Sequence, residues 1–223
     1  MTLREAKSRG AAAETLKRVA RRLFAERGVD GVTVRQIAEA AGQKNHAAVG
    51  YYFGSKEALI RELVVDGARL IDEARNAWLD RLEAQGGPRA VAEVVDALVY
   101  PSLAAQDREN DYNRFIVMLS TTHRDLFMDA LGGRWNSGYL RCLDHLRRLT
   151  PGLTATLQSQ RFVFLGASLG SVLAMREAEL ADASREHPTW GSAQTLAHFA
   201  QGLTAMLTAP APPEPALDPA AAG

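Results

Sequence analysis

Apolar residues at helical spacing recur along nearly the whole chain and strand signals are scarce, so the fold open to this sequence is all-α. The clearest case comes first. Leu16, Val19, Ala20, Leu23 and Phe24 form an i, i+3, i+4, i+7, i+8 stripe within a helix expected over Ala11–Arg27. Lys17, Arg18, Arg21 and Arg22 lie largely off that stripe, and Gly28 ends the helix. A second helix is expected to open at Thr33, because Thr33-Val34-Arg35-Gln36 has the form of a capping box. Val34, Ile37, Ala38 and Ala41 make its expected inner face, and Gly42 stops it. After the Gln43-Lys44 turn comes a short helix with Asn45 as expected N-cap and Val49, Tyr52 and Phe53 turned inward. Gly54-Ser55 breaks and re-caps the chain, and a long helix is expected over Lys56–Ala84.

Beyond Gly86-Gly87-Pro88 the spacing predicts helices near 88–106, 111–130, 134–149, 154–183 and 191–208. Asp107 to Asn110, Gly132-Gly133, Pro151-Gly152 and His187-Pro188 mark the breaks. Residues 209–223 hold five of the nine prolines and read as a disordered Pro/Ala tail.

Charge is unevenly spread. Residues 1–61 carry 12 Lys+Arg against 6 Asp+Glu, and the remainder 14 against 20, so a basic first quarter sits on an acidic body. That asymmetry points to a polyanion-facing segment. The single cysteine, Cys142, rules out an intrachain disulfide. The longest apolar run, FVFLGASLGSVLAM between Arg161 and Arg176, is too short to span a bilayer, and the N-terminus has no apolar signal-peptide core. The expectation is a soluble, cytoplasmic protein with no membrane partner.

Two short helices joined at a glycine, with the small Ala38 four positions before it, are helix-turn-helix chemistry: the alanine allows close crossing and the glycine the sharp turn. The second of these helices then presents its N-terminal half to the major groove of DNA. Ala47, Ala48 and Gly50 permit close approach to base edges, and Asn45, His46 and Tyr51 supply polar or flat contacts. A helix so poor in core residues has an outer face meant for something other than its own protein.

From Leu16 to Leu63 the sequence resembles the DNA-binding domain of the tetracycline-repressor (TetR) family. The matching pieces are LFAERGVDGVTVRQIAEAAG, the YYF triplet and GSKEAL leading the long helix. One departure is that Gly42 and Phe53 enclose QKNHAAVGYY, one residue longer than in many members, with Gly50 where a tyrosine is common. The resemblance implies an all-helical homodimer with a three-helix DNA-binding domain at 10–54 and an effector-binding and dimerisation domain at 55–208. It also implies phosphate contacts from Thr33 and Lys56. With Arg35, Lys44, Asn45, His46, Ala47, Gly50, Tyr51 and Tyr52 these complete the expected DNA-facing set. The implied function is a transcriptional regulator, a repressor on a near-palindromic operator that a small apolar effector releases.

Trp78, Tyr112, Phe115, Met118, Phe127, Trp135 and Tyr139 read residue by residue as ordinary core, and the resemblance makes them candidates for an effector cavity. Gly166 and Gly170, four apart, allow another helix to approach closely, within one subunit or between two. The family's dimer is built from its last two helices. The expected dimer interface is therefore Phe162, Leu165, Gly166, Leu169, Gly170 and Leu173, facing Leu196, Phe199, Leu203 and Met206.

Enzymatic readings find little support. His123-Arg124-Asp125 spells a kinase-loop tripeptide without the accompanying glycine-rich loop or Asp-Phe-Gly. Cys142 and His145 stand i, i+3 on a helix, but two ligands without others nearby are a weak metal site. No cofactor and no metal are expected. Two rivals remain: a DNA-binding protein of the same kind without a ligand, and an enzyme on a helical scaffold.

Overall fold

The structure is a computed structural model that describes residues 3–105 and 111–211. Both the expected break at Asp107–Asn110 and residues 212–223 of the expected tail lie outside the described residues. Among the described residues there are eleven α-helices, one 3-10 turn and no strand. The first four are α1 (Leu3–Arg27), α2 (Val34–Ala40), α3 (Ala48–Phe53) and α4 (Lys56–Ala84). They are followed by α5 (Val91–Val99), a 3-10 turn (Pro101–Leu103), α6 (Tyr112–Thr122) and α7 (Arg124–Leu131). The last four are α8 (Ser137–Leu149), α9 (Ala155–Ala181), the short α10 (Pro188–Gly191) and α11 (Ala193–Thr208).

Two predicted helices are broken. The segment expected as one helix over 88–106 stops at Val99, because Pro101 has no N–H to offer the carbonyl of Ala97. Arg75 of α4 supplies the missing donor. Its Nε donates to the Ala97 carbonyl (3.1 Å), and its Nη2 donates to the Leu98 carbonyl (3.2 Å) and the Ser102 hydroxyl (2.8 Å). Burial holds the Arg75 pKa below its ordinary value. The negative end of α5 offsets part of that cost. The segment expected over 111–130 splits at His123, whose φ of −135° and ψ of 54° lie outside the helical region.

Two hydrophobic cores result. In the first, Leu16, Phe24, Ile37, Val49, Leu59 and Leu63 from α1–α4 pack with Tyr112, Phe115, Leu119 and Leu131 from α6 and α7. In the second, Leu79 of α4 joins Val94, Leu98, Cys142, Leu146, Leu165, Leu173, Leu196 and Leu203. Helix α4 runs through both. The first core crosses position 54/55 without interruption.

Helix α6 is seated at the junction by several contacts. Phe115 stacks on Phe24 with ring centroids 6.0 Å apart. The Tyr112 ring lies so close to Gly67 that a Cβ added there would fall 2.1 Å from it. The Tyr112 hydroxyl donates to the Val64 carbonyl (2.8 Å). At the start of α6, the fully buried Glu177 of α9 accepts from the Asn113 N–H (3.1 Å), the Asn113 side-chain amide (2.7 Å) and the Arg114 N–H (2.9 Å). Arg21 of α1 pairs with Asp111 just before it.

Most of the expected dimer residues are packed inside the subunit. Phe162, Leu165, Leu169, Leu173, Leu196 and Leu203 are buried in the second core, and Phe199 and Met206 pack against it. Cβ atoms at Gly166 and Gly170 would sit 3.3 Å from the Tyr139 hydroxyl and 3.2 Å from Val117, so these glycines fit α9 against α8 and α6. The outward apolar residues of α9 are on its other face: Val163 (68% exposed), Phe164 (55%) and Met175 (55%).

The aromatic set does not surround one cavity. Tyr112 and Phe115 are within the first core, and Phe127 and Trp135 pack against it. Trp78, stacked on Tyr100 at 6.0 Å, and Tyr139 pack against the second, and Met118 is partly exposed. A cleft of about 610 Å³ lies elsewhere, lined by Val29, Lys56, Ile60, Arg61, His123 and Leu126 among others, and none of the seven residues borders it.

A Cβ at position 67 must displace the Tyr112 ring and with it α6. Gly67→Ala is expected to destabilise the protein by about 1–3 kcal/mol, the range for overpacking, as measured by denaturant unfolding. An unchanged midpoint would mean that α6 is not seated on α4 in this way.

Candidate nucleic-acid interface

The interface is built on α2 and α3. At the start of α2 the capping box forms as expected: the Thr33 hydroxyl accepts from the Gln36 N–H (3.3 Å), and the Gln36 carbonyl oxygen accepts from the Thr33 N–H (2.8 Å). Ile37 and Ala38 are buried, but Val34 is exposed, contrary to its expected place on the inner face. At about 100° per residue, Val34 stands only about 10° from the middle of the face that Ile37 and Ala38 define, so helical angle does not explain its exposure; it is the first residue of α2.

The turn is a left-handed close. Gly42 has φ +67°, its N–H donates to the Glu39 carbonyl (3.0 Å), and the Gln43 N–H donates to the Ala38 carbonyl (2.9 Å). Only glycine takes that backbone without strain. Asn45 does not cap α3 directly. Its side-chain oxygen accepts from the Ala47 N–H (2.9 Å), closing a turn that leads to a helix beginning at Ala48. The longer segment between Gly42 and Phe53 is thus absorbed before the helix starts.

On α3, Ala48 and Val49 are buried against the first core, so Ala48 is not available to a groove. Tyr52 and Phe53 pack partly into the same core. Lys44, Asn45, His46, Ala47, Gly50 and Tyr51 are exposed. Tyr51 is 62% exposed, with its ring edge-on to Tyr52 at 5.0 Å. The structure therefore brings six of the expected DNA-facing residues to one outward end of the motif and turns Tyr52 partly inward.

Ser55 caps α4, its hydroxyl accepting from the Ala58 N–H (3.0 Å). Lys56 is the first residue of α4 and holds its ammonium 5.9 Å from the centroid of the Phe24 ring. Part of the basic first quarter is neutralised internally. Lys17 bridges Glu62 (3.0 Å) and Asp66 (2.9 Å) on α4, and Arg21 pairs with Asp111.

Sequence reasoning passed over Glu39, whose Oε1 accepts from Arg35 Nε (2.8 Å) and lies 3.8 Å from His46 Nδ1. The i, i+4 spacing of Arg35 and Glu39 is the legible signal for the first contact. It also passed over the hydrogen bond between His123 and Asp30 (2.8 Å), which ties the α6–α7 break to the loop before α2. Nothing local in the sequence announces a contact across that separation.

The remaining chemistry-bearing residues have structural partners. Cys142 lies in the second core, where burial pushes its thiol up to about 11. His145 contacts Glu83 (2.8 Å) through one ring nitrogen and Arg148 (2.8 Å) through the other. Among the described residues no group of three or more His, Cys, Asp or Glu could hold a metal ion, and no helix is long and apolar enough to cross a membrane.

Residues 16–63 match the family described as bacterial regulatory proteins, tetR family. The chain is 46% identical over 54 residues to the HTH-type transcriptional repressor AcnR of Corynebacterium efficiens, and equally to AcnR of Corynebacterium glutamicum. Each match covers 24% of this chain and 28% of the relative. The crystal structure of the probable transcriptional regulatory protein RHA5900 superposes with a TM-score of 0.55 at 21% identity, covering 90% of this chain and all of that one, a likeness of fold. The matched segment coincides with the glycine turn, the capping box and the core-poor α3, and over it the chain is similar to the tetR family of bacterial regulatory proteins.

Proposed function

We propose that this chain is a sequence-specific DNA-binding transcriptional repressor that acts as a homodimer on a near-palindromic operator in the cytoplasm. Residues 10–54 form the reading head and 55–208 the effector and dimerisation body. The observation that carries this reading is the division of α3. It gives Ala48 and Val49 to the core and leaves Gly50 and Tyr51, with Lys44 to Ala47 before them, facing outward. Asn45, His46 and Tyr51 are the base-reading candidates, Ala47 and Gly50 allow close approach, and Thr33, Arg35, Lys44 and Lys56 are candidates for the phosphate backbone.

The dimer reading moves to the outward face of α9. Phe164 and Met175 stand three turns apart on one side of it, opposite the buried leucines, and a second copy of the chain is the occupant that the family's assembly supports. A small apolar effector in the body is supported by the resemblance to the family. The dense packing of Tyr112 and Phe115 favours a second reading for those two positions, in which they hold the head to the body and line no cavity.

Selection of bound genomic fragments is expected to return a motif with two half-sites, and the absence of any enriched motif would overturn the reading. Tyr51→Ala should lower the preference for that motif over a mutated copy by about 1–3 kcal/mol per lost base contact. Lys56→Ala should weaken all sequences alike. Competition binding at fixed salt separates the two.

Phe164→Glu combined with Met175→Glu should convert the dimer to a folded monomer in sedimentation, with helical content retained. Leu169→Glu, buried in the second core, should unfold the body instead. A dimer that survives the double substitution would remove α9's outer face from the interface.

A further inference from the structure

Glu39 is an acid beside Arg35 and His46 on the surface assigned to DNA. It occupies the last turn of α2, and Arg35 occupies the first. Helix energetics disfavour this order: an acid near a helix C-terminus and a base near its N-terminus both oppose the macrodipole, and a base four residues before an acid is the weaker arrangement. Local helix stability therefore does not account for the pair. The same carboxylate oxygen that accepts from Arg35 (2.8 Å) also stands 3.8 Å from His46, across the turn on the approach to α3. Glu39 thus links the two helices of the motif through the side chains expected to meet the duplex. The hydrogen bond from Arg35 holds the Glu39 carboxyl below its usual range, so the group is an anion at neutral pH.

Resting on the DNA-binding reading above, we propose that Glu39 is a positioning residue for DNA binding, an internal stand-in for a phosphate that occupies Arg35 and His46 and restrains the grip on duplexes of any sequence. A carboxylate and a phosphate compete for the same guanidinium donors. In the free protein Glu39 holds Arg35 along the surface of α2. A duplex phosphate gains Arg35 only by displacing that carboxylate while tolerating its charge nearby. The sequence-independent part of the affinity is lowered as a result, and the motif depends more on the residues of α3.

The test uses the full-length protein and a random-sequence duplex, with Glu39→Gln, which keeps the side chain's shape and removes its charge. The variant should bind the random duplex several-fold more tightly. Its plot of log affinity against log salt should steepen by about 0.9 for each cation released to a phosphate. The gain should disappear in an Arg35→Ala background, which a merely structural role would not produce. Glu39→Ala should reproduce the effect, and unfolding midpoints of all variants check that the head remains intact. Unchanged affinity and slope, or an equal gain with and without Arg35, would overturn the proposal and reduce Glu39 to a solvated ion pair. A wild-type protein that binds no duplex at low salt would instead overturn the DNA-binding reading itself.

Discussion

The seat of α6 between α1 and α4 is the contact on which the rest of the arrangement depends. Phe115 lies against Phe24 of α1, and Tyr112 lies against a glycine of α4 that leaves room for its ring. Glu177 answers the free N–H groups at the start of α6, and Arg21 answers the carboxylate before it. Burial of two aromatic side chains alone is worth about 1.5–3 kcal/mol each. The hydrogen-bonded Glu177 would be costly to bury without those partners. Hence the head is not an independent bead on a string: its core is completed by residues more than fifty positions later in the chain.

The electrostatics follow the same logic. A basic first quarter on an acidic body reads from sequence as a surface waiting for a polyanion. In the folded chain, Lys17 and Arg21 satisfy acids of the body, and Arg35 is held by Glu39. Net charge along a sequence therefore overstates the charge offered to a partner. The exposed i, i+4 pair of Arg35 and Glu39 is individually weak, so it can be exchanged for contacts to a partner.

Much of the fold was legible where local rules act alone. The capping box at Thr33, the glycine close at Gly42 and the span of α4 are written in a few neighbouring residues each, and they form as the sequence implies. Pro101 also carried a local signal, its missing N–H, which the periodicity of 88–106 masked. The errors arose where tertiary contacts choose between two faces of one helix. Helix α9 has apolar residues nearly all round, so periodicity could not say whether Leu165 or Phe164 turns inward. The aromatic residues of the body likewise read as a set, and only the packing divides them between two cores. In the candidate site, the outward residues of α3 were legible because the helix is short and poor in apolar side chains. The start of α3 was not, because Asn45 closes a turn one step earlier than the helix it was expected to cap.

The passage of α4 through both cores has a geometric consequence. Its 29 residues make a rod of about 43 Å at 1.5 Å per residue. Leu79 anchors one end in the second core, and Leu59 and Leu63 anchor the other in the first. Such a rod magnifies angle into displacement: a tilt of about 5° at Leu79 moves Lys56, about 35 Å away, by roughly 3 Å. The major groove is only about 12 Å wide. On the proposed reading, a small rearrangement of the second core is therefore enough to shift α3 by a sizeable fraction of the groove's width.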